Sequence, residues 1–92
     1  MGNYKKVIKE LKKIYKKKNH DYGNSFHKIY KRFGLLSSII RLSDKLERLE
    51  TLLTKPSKVD ESIRDTLLDL ANYSILTIIE IDKEKKNNDT NK

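Results

Sequence analysis

Apolar residues recur at helical spacing along most of the chain, and this pattern predicts an all-α protein. Four segments repeat apolar side chains at offsets of three, four and seven residues, as expected of helices with one buried face. Three of the predicted helices cover about residues 4–18, 35–54 and 59–82, and a short one between them carries Phe26, Ile29, Tyr30 and Phe33. The expected architecture is therefore a helical bundle of three long helices and one short helix.

Residues that cap or break helices separate these segments. Asn3 is predicted to cap the first helix, and Asn24 or Ser25 the second, because short polar side chains accept hydrogen bonds from free backbone amides. Gly34 either ends the second helix or marks a kink. Pro56 is predicted to stop the third helix, since proline disfavours the helical conformation of the residue before it.

Length and composition predict one small domain that needs partners. Residues 1–82 form the predicted domain, and residues 83–92 lack an apolar anchor, so they are expected to be a disordered polar tail. A chain of 92 residues without cysteine has a marginal core and no disulfides, and oligomerisation is the usual remedy. The absence of cysteine also excludes a thiolate metal site and fits a reducing cytoplasm. No apolar run is long enough to span a membrane, so no membrane partner is expected.

Positive charge is concentrated in the first predicted helix. Residues 1–18 hold eight lysines and one glutamate, Glu10, which is most of the net charge of +8. Such a helix is either a solvated face or an electrostatic attractor for nucleotides, nucleic acid or anionic lipid. Nucleic acid remains a possible partner only through this lysine-rich helix.

Acidic and basic side chains form stripes on the third and fourth predicted helices. At about 100° per residue, Glu61, Asp65 and Asn72 lie within about 40° of one another, with Asp69 next to them. The third helix places basic and acidic groups on one side in the same way; these are Arg41, Asp44, Glu47 and Arg48. If the helices pack antiparallel, the stripes face each other, and a hard cation such as Mg²⁺ would compensate the carboxylates. The alternative is a set of ordinary ion pairs on solvated faces.

Two further candidates lie in the turn before the short helix and in that helix itself. Tyr22 either stacks on a base or packs as a hydrophobic plug in the turn that contains Gly23. His27 lies one turn into the short helix, where a lone histidine is more often a bystander than an acid–base group.

Three blocks of the sequence resemble a known family. The segments KNHDYGNSF, GLLSSIIRLSDKLERLETL and VDESIRDTLLDLANYSI, between about residues 18 and 80, resemble the nucleotide modification associated domain 1 family, small helical proteins common in phages. More distantly, the last block is similar to a metal-binding helix of the MazG-like all-α nucleotide pyrophosphohydrolases. Glu61, Asp65 and Asn72 match the order of its glutamate, aspartate and asparagine, while Asp44, Glu47 and Glu50 stand where that superfamily has three glutamates.

The resemblance implies a MazG-like homodimer or homotetramer whose facing helices enclose a nucleotide. It implies Mg²⁺ ligands at Asp44, Glu47, Glu61 and Asp65. It further implies phosphate contacts from Arg41, Lys45 and Arg48, a base or sugar contact from Asn72, and orientation of the attacking water by Asp69.

Three functions follow as expectations. The first is a Mg²⁺-dependent nucleoside triphosphate pyrophosphohydrolase of MazG-like type, acting in the cytoplasm of a phage-infected host. The second is a non-catalytic phage protein that binds and sequesters a nucleotide signal of host defence, either cyclic or ADP-ribose-like. The third is an accessory protein that binds nucleic acid through the first helix.

Overall fold

A computed structural model describes residues 2–22, 24–55 and 61–90, and for 20–22, 61–62 and 88–90 it describes the backbone alone. Within these ranges the chain forms four α-helices and no strand. Helix α1 is Gly2–Tyr22, α2 is Ser25–Phe33, α3 is Leu35–Thr54 and α4 is Glu61–Thr90. The prediction of an all-α protein with three long helices and one short helix is confirmed.

Gly34 alone joins α2 to α3. Its φ of 73° and ψ of −161° lie in a region that residues with a side chain rarely adopt. Its amide donates to the Tyr30 carbonyl at 2.7 Å, which closes the last turn of α2. Its own carbonyl accepts hydrogen bonds from the amide of Ser37 at 3.1 Å and the Ser37 hydroxyl at 2.7 Å. Gly34 therefore ends one helix and starts the next, which decides between the two predicted roles.

Several predicted helix ends differ from those observed. Helix α1 begins at Gly2, so the predicted cap Asn3 lies inside the helix. Asn24 does occupy the N-cap position of α2, but its side chain makes no capping hydrogen bond. Helix α3 has the predicted limits. The predicted start of α4 and Pro56 lie outside the described residues.

The two longest helices continue past their predicted ends. Helix α1 reaches Tyr22 rather than residue 18, and α4 reaches Thr90 rather than Asp82. Residues 83–90 are thus helical where a disordered tail was expected. The physical reason is that adding a residue to an existing helix costs little, and Lys and Glu are good helix formers even without apolar anchors.

Helix α4 is the central helix, against which the other three pack. Helix α3 packs along it, α2 packs against both, and α1 contacts α4 at the side, in a body of 53 × 30 × 26 Å.

Two polar contacts between described side chains attach α1 to α4. The Arg64 guanidinium donates to both Glu10 carboxylate oxygens at 2.6 Å, and the Lys18 ammonium donates to Asp69 at 2.7 Å. Hydrogen bonding from Arg64 holds the pKa of Glu10 below its usual value.

The apolar core of a single chain is very small. In the described part of the chain, only Leu11, Tyr30 and Leu68 are buried apolar residues. Many large apolar side chains are exposed instead, up to 78% for Leu53. No described helix is long and apolar enough to cross a membrane. Much of the apolar surface that the helical pattern was expected to bury is therefore left uncovered.

Candidate functional site

A cleft of about 420 Å³ opens between the four helices. Helix α1 contributes its C-terminal part, α2 its first turn, α3 one arginine, and α4 the long inner wall. The lining residues that bear polar or aromatic groups include Tyr15, Lys18, Phe26, His27, Arg41, Asp69, Asn72, Tyr73, Glu80 and Lys83. Three of them are cationic and two are carboxylates, so the cleft combines excess positive charge with aromatic surface.

An arginine and two aromatic rings form one part of the lining. The Phe26 and Tyr73 rings are stacked, with centroids 6.0 Å apart and planes at 19°. The Arg41 guanidinium carbon lies 5.5 Å from the Phe26 centroid and 5.4 Å from the Tyr73 centroid. Cation–π attraction to both rings orients the guanidinium. A planar, fixed donor of this kind suits recognition of phosphate or carboxylate oxygens.

Asn72 contributes a buried amide to the same cleft. Its side chain is on the inner face of α4, the residue is only 8% exposed, and Nδ2 has no hydrogen-bond partner. A buried donor without a partner costs about 1–3 kcal/mol, so such groups are rare in folded proteins. A ligand atom that accepts a hydrogen bond would remove this cost.

Asp69 joins α1 and α3 to α4. One carboxylate oxygen accepts from Lys18 at 2.7 Å, and the other lies 3.1 Å from the Lys45 ammonium. Burial alone would raise the pKa of Asp69, but the hydrogen bonds from Lys18 and Lys45 outweigh it and hold the pKa below its ordinary value. Asp69 is therefore a carboxylate already neutralised by two lysines.

A histidine–glutamate pair lies at another part of the cleft. His27 Nδ1 is 2.6 Å from Glu80 Oε1, and Glu80 is buried, at 6% exposure. Lys83 lies 3.9 Å from the other Glu80 oxygen. With Nδ1 donating to Glu80, Nε2 is the remaining hydrogen-bonding atom of His27. The carboxylate thus fixes the histidine ring, as a carboxylate hydrogen-bonded to the far ring nitrogen does for many functional histidines.

A tyrosine borders this pair. The Tyr30 hydroxyl donates to Glu84 at 3.4 Å. Burial raises the pKa of Tyr30, and the charges of Glu84 and Glu80 raise it further. Tyr30 therefore remains a neutral hydroxyl donor at neutral pH.

The structure brings together only part of the predicted site. Arg41, Asp69 and Asn72 line the cleft, and Lys45 reaches it through Asp69. The other predicted residues whose side chains are described are exposed to solvent outside the cleft; these are Asp44, Glu47, Arg48 and Asp65. The side chains of Tyr22 and Glu61 lie outside the described part of the chain.

The described side chains do not fit a Mg²⁺ site within one chain. A hard divalent cation needs several oxygen ligands converging on one point. Among the described residues there is no group of three histidine, cysteine, aspartate or glutamate side chains that could hold a metal ion. The two carboxylates of the cleft, Asp69 and Glu80, are each already paired with a cation or a histidine.

Three important cleft residues had no site role predicted from the sequence, namely Phe26, Tyr73 and Glu80, and His27 was considered but given low weight. Glu80 carried a usable signal. It is the one acid in the apolar segment ILTIIEI, and an isolated carboxylate on a buried helix face needs a partner. His27 was expected to be a bystander because no sequence pattern connects it with Glu80, which lies 53 residues away.

Comparison with known proteins shows a match to one family model. No curated protein and no solved structure matches the chain significantly. The sequence model of the nucleotide modification associated domain 1 family matches residues 18–81, a stretch that contains nearly all of the cleft-lining residues. Because this match covers most of the sequence, the chain belongs to the nucleotide modification associated domain 1 family.

Proposed function

We propose that the cleft binds a nucleotide or a nucleotide-derived small molecule and holds it without cleaving it. The observation that carries this proposal is the buried amide of Asn72, which lacks a hydrogen-bond partner and lines the same cleft as the ring-stacked Arg41. A nucleotide combines the matching chemistry, because its base has hydrogen-bond acceptors and a flat apolar face, and its phosphate is anionic.

Each ligand part has a partner in the cleft. Arg41 and the nearby cations Lys18 and Lys83 would attract the phosphate, since charge-assisted hydrogen bonds from arginine are among the stronger ones. Asn72 would donate to an acceptor on the base or sugar. His27, fixed by Glu80, would accept a hydrogen bond from a ribose hydroxyl or an amino group. The description of the family, which refers to nucleotide modification, supports the same ligand class.

We prefer binding over hydrolysis because the predicted acidic residues whose side chains are described are either exposed outside the cleft or already paired with lysines. The MazG-like expectation requires acids that converge on Mg²⁺ and one that orients water. Asp44, Glu47 and Asp65 are exposed, and Asp69 is held between two lysines. Sequestration of a cyclic or ADP-ribose-like nucleotide signal, the second of the three expected functions, is therefore our proposal.

Isothermal titration with a panel of linear and cyclic nucleotides and ADP-ribose tests this proposal. Arg41→Gln is expected to weaken the binding of the best ligand by about 10-fold or more, because it removes a charged donor. Arg32→Gln is the matched control, since Arg32 also stacks on one ring, that of Phe33 at 4.8 Å, but does not line the cleft. Equal effects of the two substitutions would contradict the cleft as the binding site.

A second measurement separates binding from cleavage. The protein is incubated with the bound nucleotide and Mg²⁺, then heat-denatured, and the released ligand is identified by mass spectrometry. Intact ligand supports sequestration. Release of pyrophosphate that disappears in Asp65→Asn would instead support the pyrophosphohydrolase, with the acids assembled between chains.

Salt-sensitive binding to long DNA without affinity for mononucleotides would support the nucleic-acid hypothesis. The exposed lysines of α1 would then carry the function.

A further inference from the structure

The outer face of α4 carries an uncovered apolar stripe. At about 100° per residue, six residues between positions 63 and 81 lie within about 80° on this face; they are Ile63, Leu67, Ala71, Ser74, Ile78 and Ile81. The four large ones are between 36% and 57% exposed. The cleft residues of α4, such as Asn72 and Glu80, lie on the opposite side of the same helix. The outer side of α4 is therefore apolar and uncovered in a single chain, while the opposite side lines the cleft.

We propose that this stripe is the contact between two copies of the chain, with the two α4 helices packed antiparallel about a two-fold axis. The order of the side chains supports this arrangement. From either end, the stripe reads two large residues and then a small one, with Ala71 and Ser74 in the middle. In an antiparallel pair centred between these two residues, Leu67 faces Ile78 of the second copy and Ala71 faces Ser74 of the second copy.

The small central residues suit close packing of two helices. Helix axes approach to about 8–10 Å, depending on the side chains at the contact, and Ala and Ser take up little space there. The Ser74 hydroxyl already donates to the Leu70 carbonyl at 2.9 Å. Its burial in an apolar contact therefore leaves no unsatisfied donor.

The charged edge of the stripe is compatible with the same register. Arg64 and Asp82 are both about 60° to one side of Leu67 on the helical wheel. A two-fold axis brings equal edges together, so Arg64 of one copy lies beside Asp82 of the other. Arg64 already holds Glu10 and interacts with the charge of Asp65, and Asp82 would add a further acidic neighbour.

A second copy fits better than an unrelated partner. Only three apolar residues are buried in the described chain, so the stripe gains stability from cover whenever the chain is folded. A second copy is available wherever the protein is made. An isologous contact needs a self-complementary surface, which the order of large and small residues provides. Each copy would keep its own cleft, facing away from the contact, so this inference does not depend on the proposed nucleotide.

Light scattering coupled to gel filtration tests the contact. The wild type is expected at twice the chain mass of 10.9 kDa, or in a larger even-numbered assembly, and Ile78→Lys at half the wild-type mass. Leu53→Lys is the matched control, because Leu53 on α3 is even more exposed, at 78%. A folded wild type of single-chain mass at every concentration would overturn the proposal. So would an assembly that Leu53→Lys splits and Ile78→Lys leaves intact.

Cysteine cross-linking decides the register, including the case in which Ile78→Lys does not fold. The chain has no cysteine, so Ala71→Cys and Ser74→Cys chains can be mixed and oxidised without background. Rapid formation of the mixed disulfide dimer is expected, since these positions face each other. Lys12→Cys, on an exposed position of α1, gives the background rate. Cross-linking no faster than this control would refute the antiparallel contact.

Discussion

Among the described residues, two buried polar side chains without hydrogen-bond partners can show whether such a residue serves ligand binding or only the fold. Asn72 Nδ2 and Ser38 Oγ are both buried and lack hydrogen-bond partners, but only Asn72 lines the cleft. Each costs the folded chain stability. If Asn72 is retained for a ligand, the two residues must respond differently to apolar replacement.

Asn72→Leu is expected to raise the free energy of unfolding by about 1 kcal/mol, because it removes a buried donor without a partner, and to abolish most ligand binding. Ser38→Ala should stabilise by a similar amount and leave binding unchanged. Urea unfolding and isothermal titration measure the two effects. Loss of stability in Asn72→Leu together with unchanged binding would assign Asn72 a structural role only.

Asp69 gives the molecule a pH dependence of known sign. Because Lys18 and Lys45 lower its pKa, the charged form is favoured more in the folded chain than in the unfolded chain. The resulting stability is complete above the ordinary aspartate pKa of about 3.9 and is lost as pH falls through the lower folded pKa. Asp69→Asn lacks this contribution at every pH.

The free energy of unfolding of wild type and Asp69→Asn should therefore differ at pH 7 and converge toward pH 2. Urea titrations at a series of pH values measure this. A difference that stays constant across the range would show that Asp69 is not coupled to the two lysines.

Helical periodicity predicted some cleft residues, but it could not predict those that come together only when two helices pack. Arg41, Asp69 and Asn72 lie on stripes that one helix displays by itself. The link between His27 and Glu80 joins two helices 53 residues apart, and it arises only when the helices pack. The predicted convergence of Asp44 and Asp65 likewise needed a relative rotation of α3 and α4 that periodicity does not determine.

For whole helices, the sequence predicted the ends of α3 correctly but placed the ends of α1 and α4 too early. Residues 35–54 were predicted correctly because Gly34 is a strong local signal and the apolar pattern stops with α3. The ends of α1 and α4 were underestimated, since helix propagation through Lys, Glu and Asn needs no apolar contact.

Gly34→Ala tests the junction of α2 and α3. A Cβ at this position would meet nothing within 4 Å, so any loss of stability arises from the φ of 73°. We expect the free energy of unfolding to fall by about 1–3 kcal/mol. Gly2→Ala is the matched control, because Gly2 also has open space but no positive φ. Equal unfolding free energies of the two variants would exclude backbone strain at Gly34.

A polar contact attaches the first half of α1 to α4. Arg64→Ala removes both hydrogen bonds to Glu10, and we expect faster hydrogen exchange of amides in the first half of α1, with little change in α3. Lys12→Ala, on the exposed side of α1, controls for loss of charge. Exchange that increases equally in both variants would mean that Glu10 and Arg64 do not hold the helix.

For the whole molecule, the central property is a chain with more apolar surface than it can cover. The pattern of the sequence predicted which faces are apolar, but not that the apolar outer face of α4 would be left uncovered. If two copies cover the outer face, folding and association are linked, and the unfolding midpoint must depend on concentration. Thermal unfolding over a 100-fold range of chain concentration should show a rising midpoint, whereas a constant midpoint would indicate an independent monomer.

The uncovered outer stripe of α4 also has a consequence for how the protein responds to the amount of chain that is made. If this stripe pairs two copies, pair formation varies with the square of chain concentration, so a small rise in synthesis would produce a disproportionate rise in folded protein. Chains made at concentrations too low for pairing would remain open to proteases, and their clefts would be lost along with the fold. Helix α4 would then make the amount of folded protein with an intact cleft depend on how much of the chain has been made.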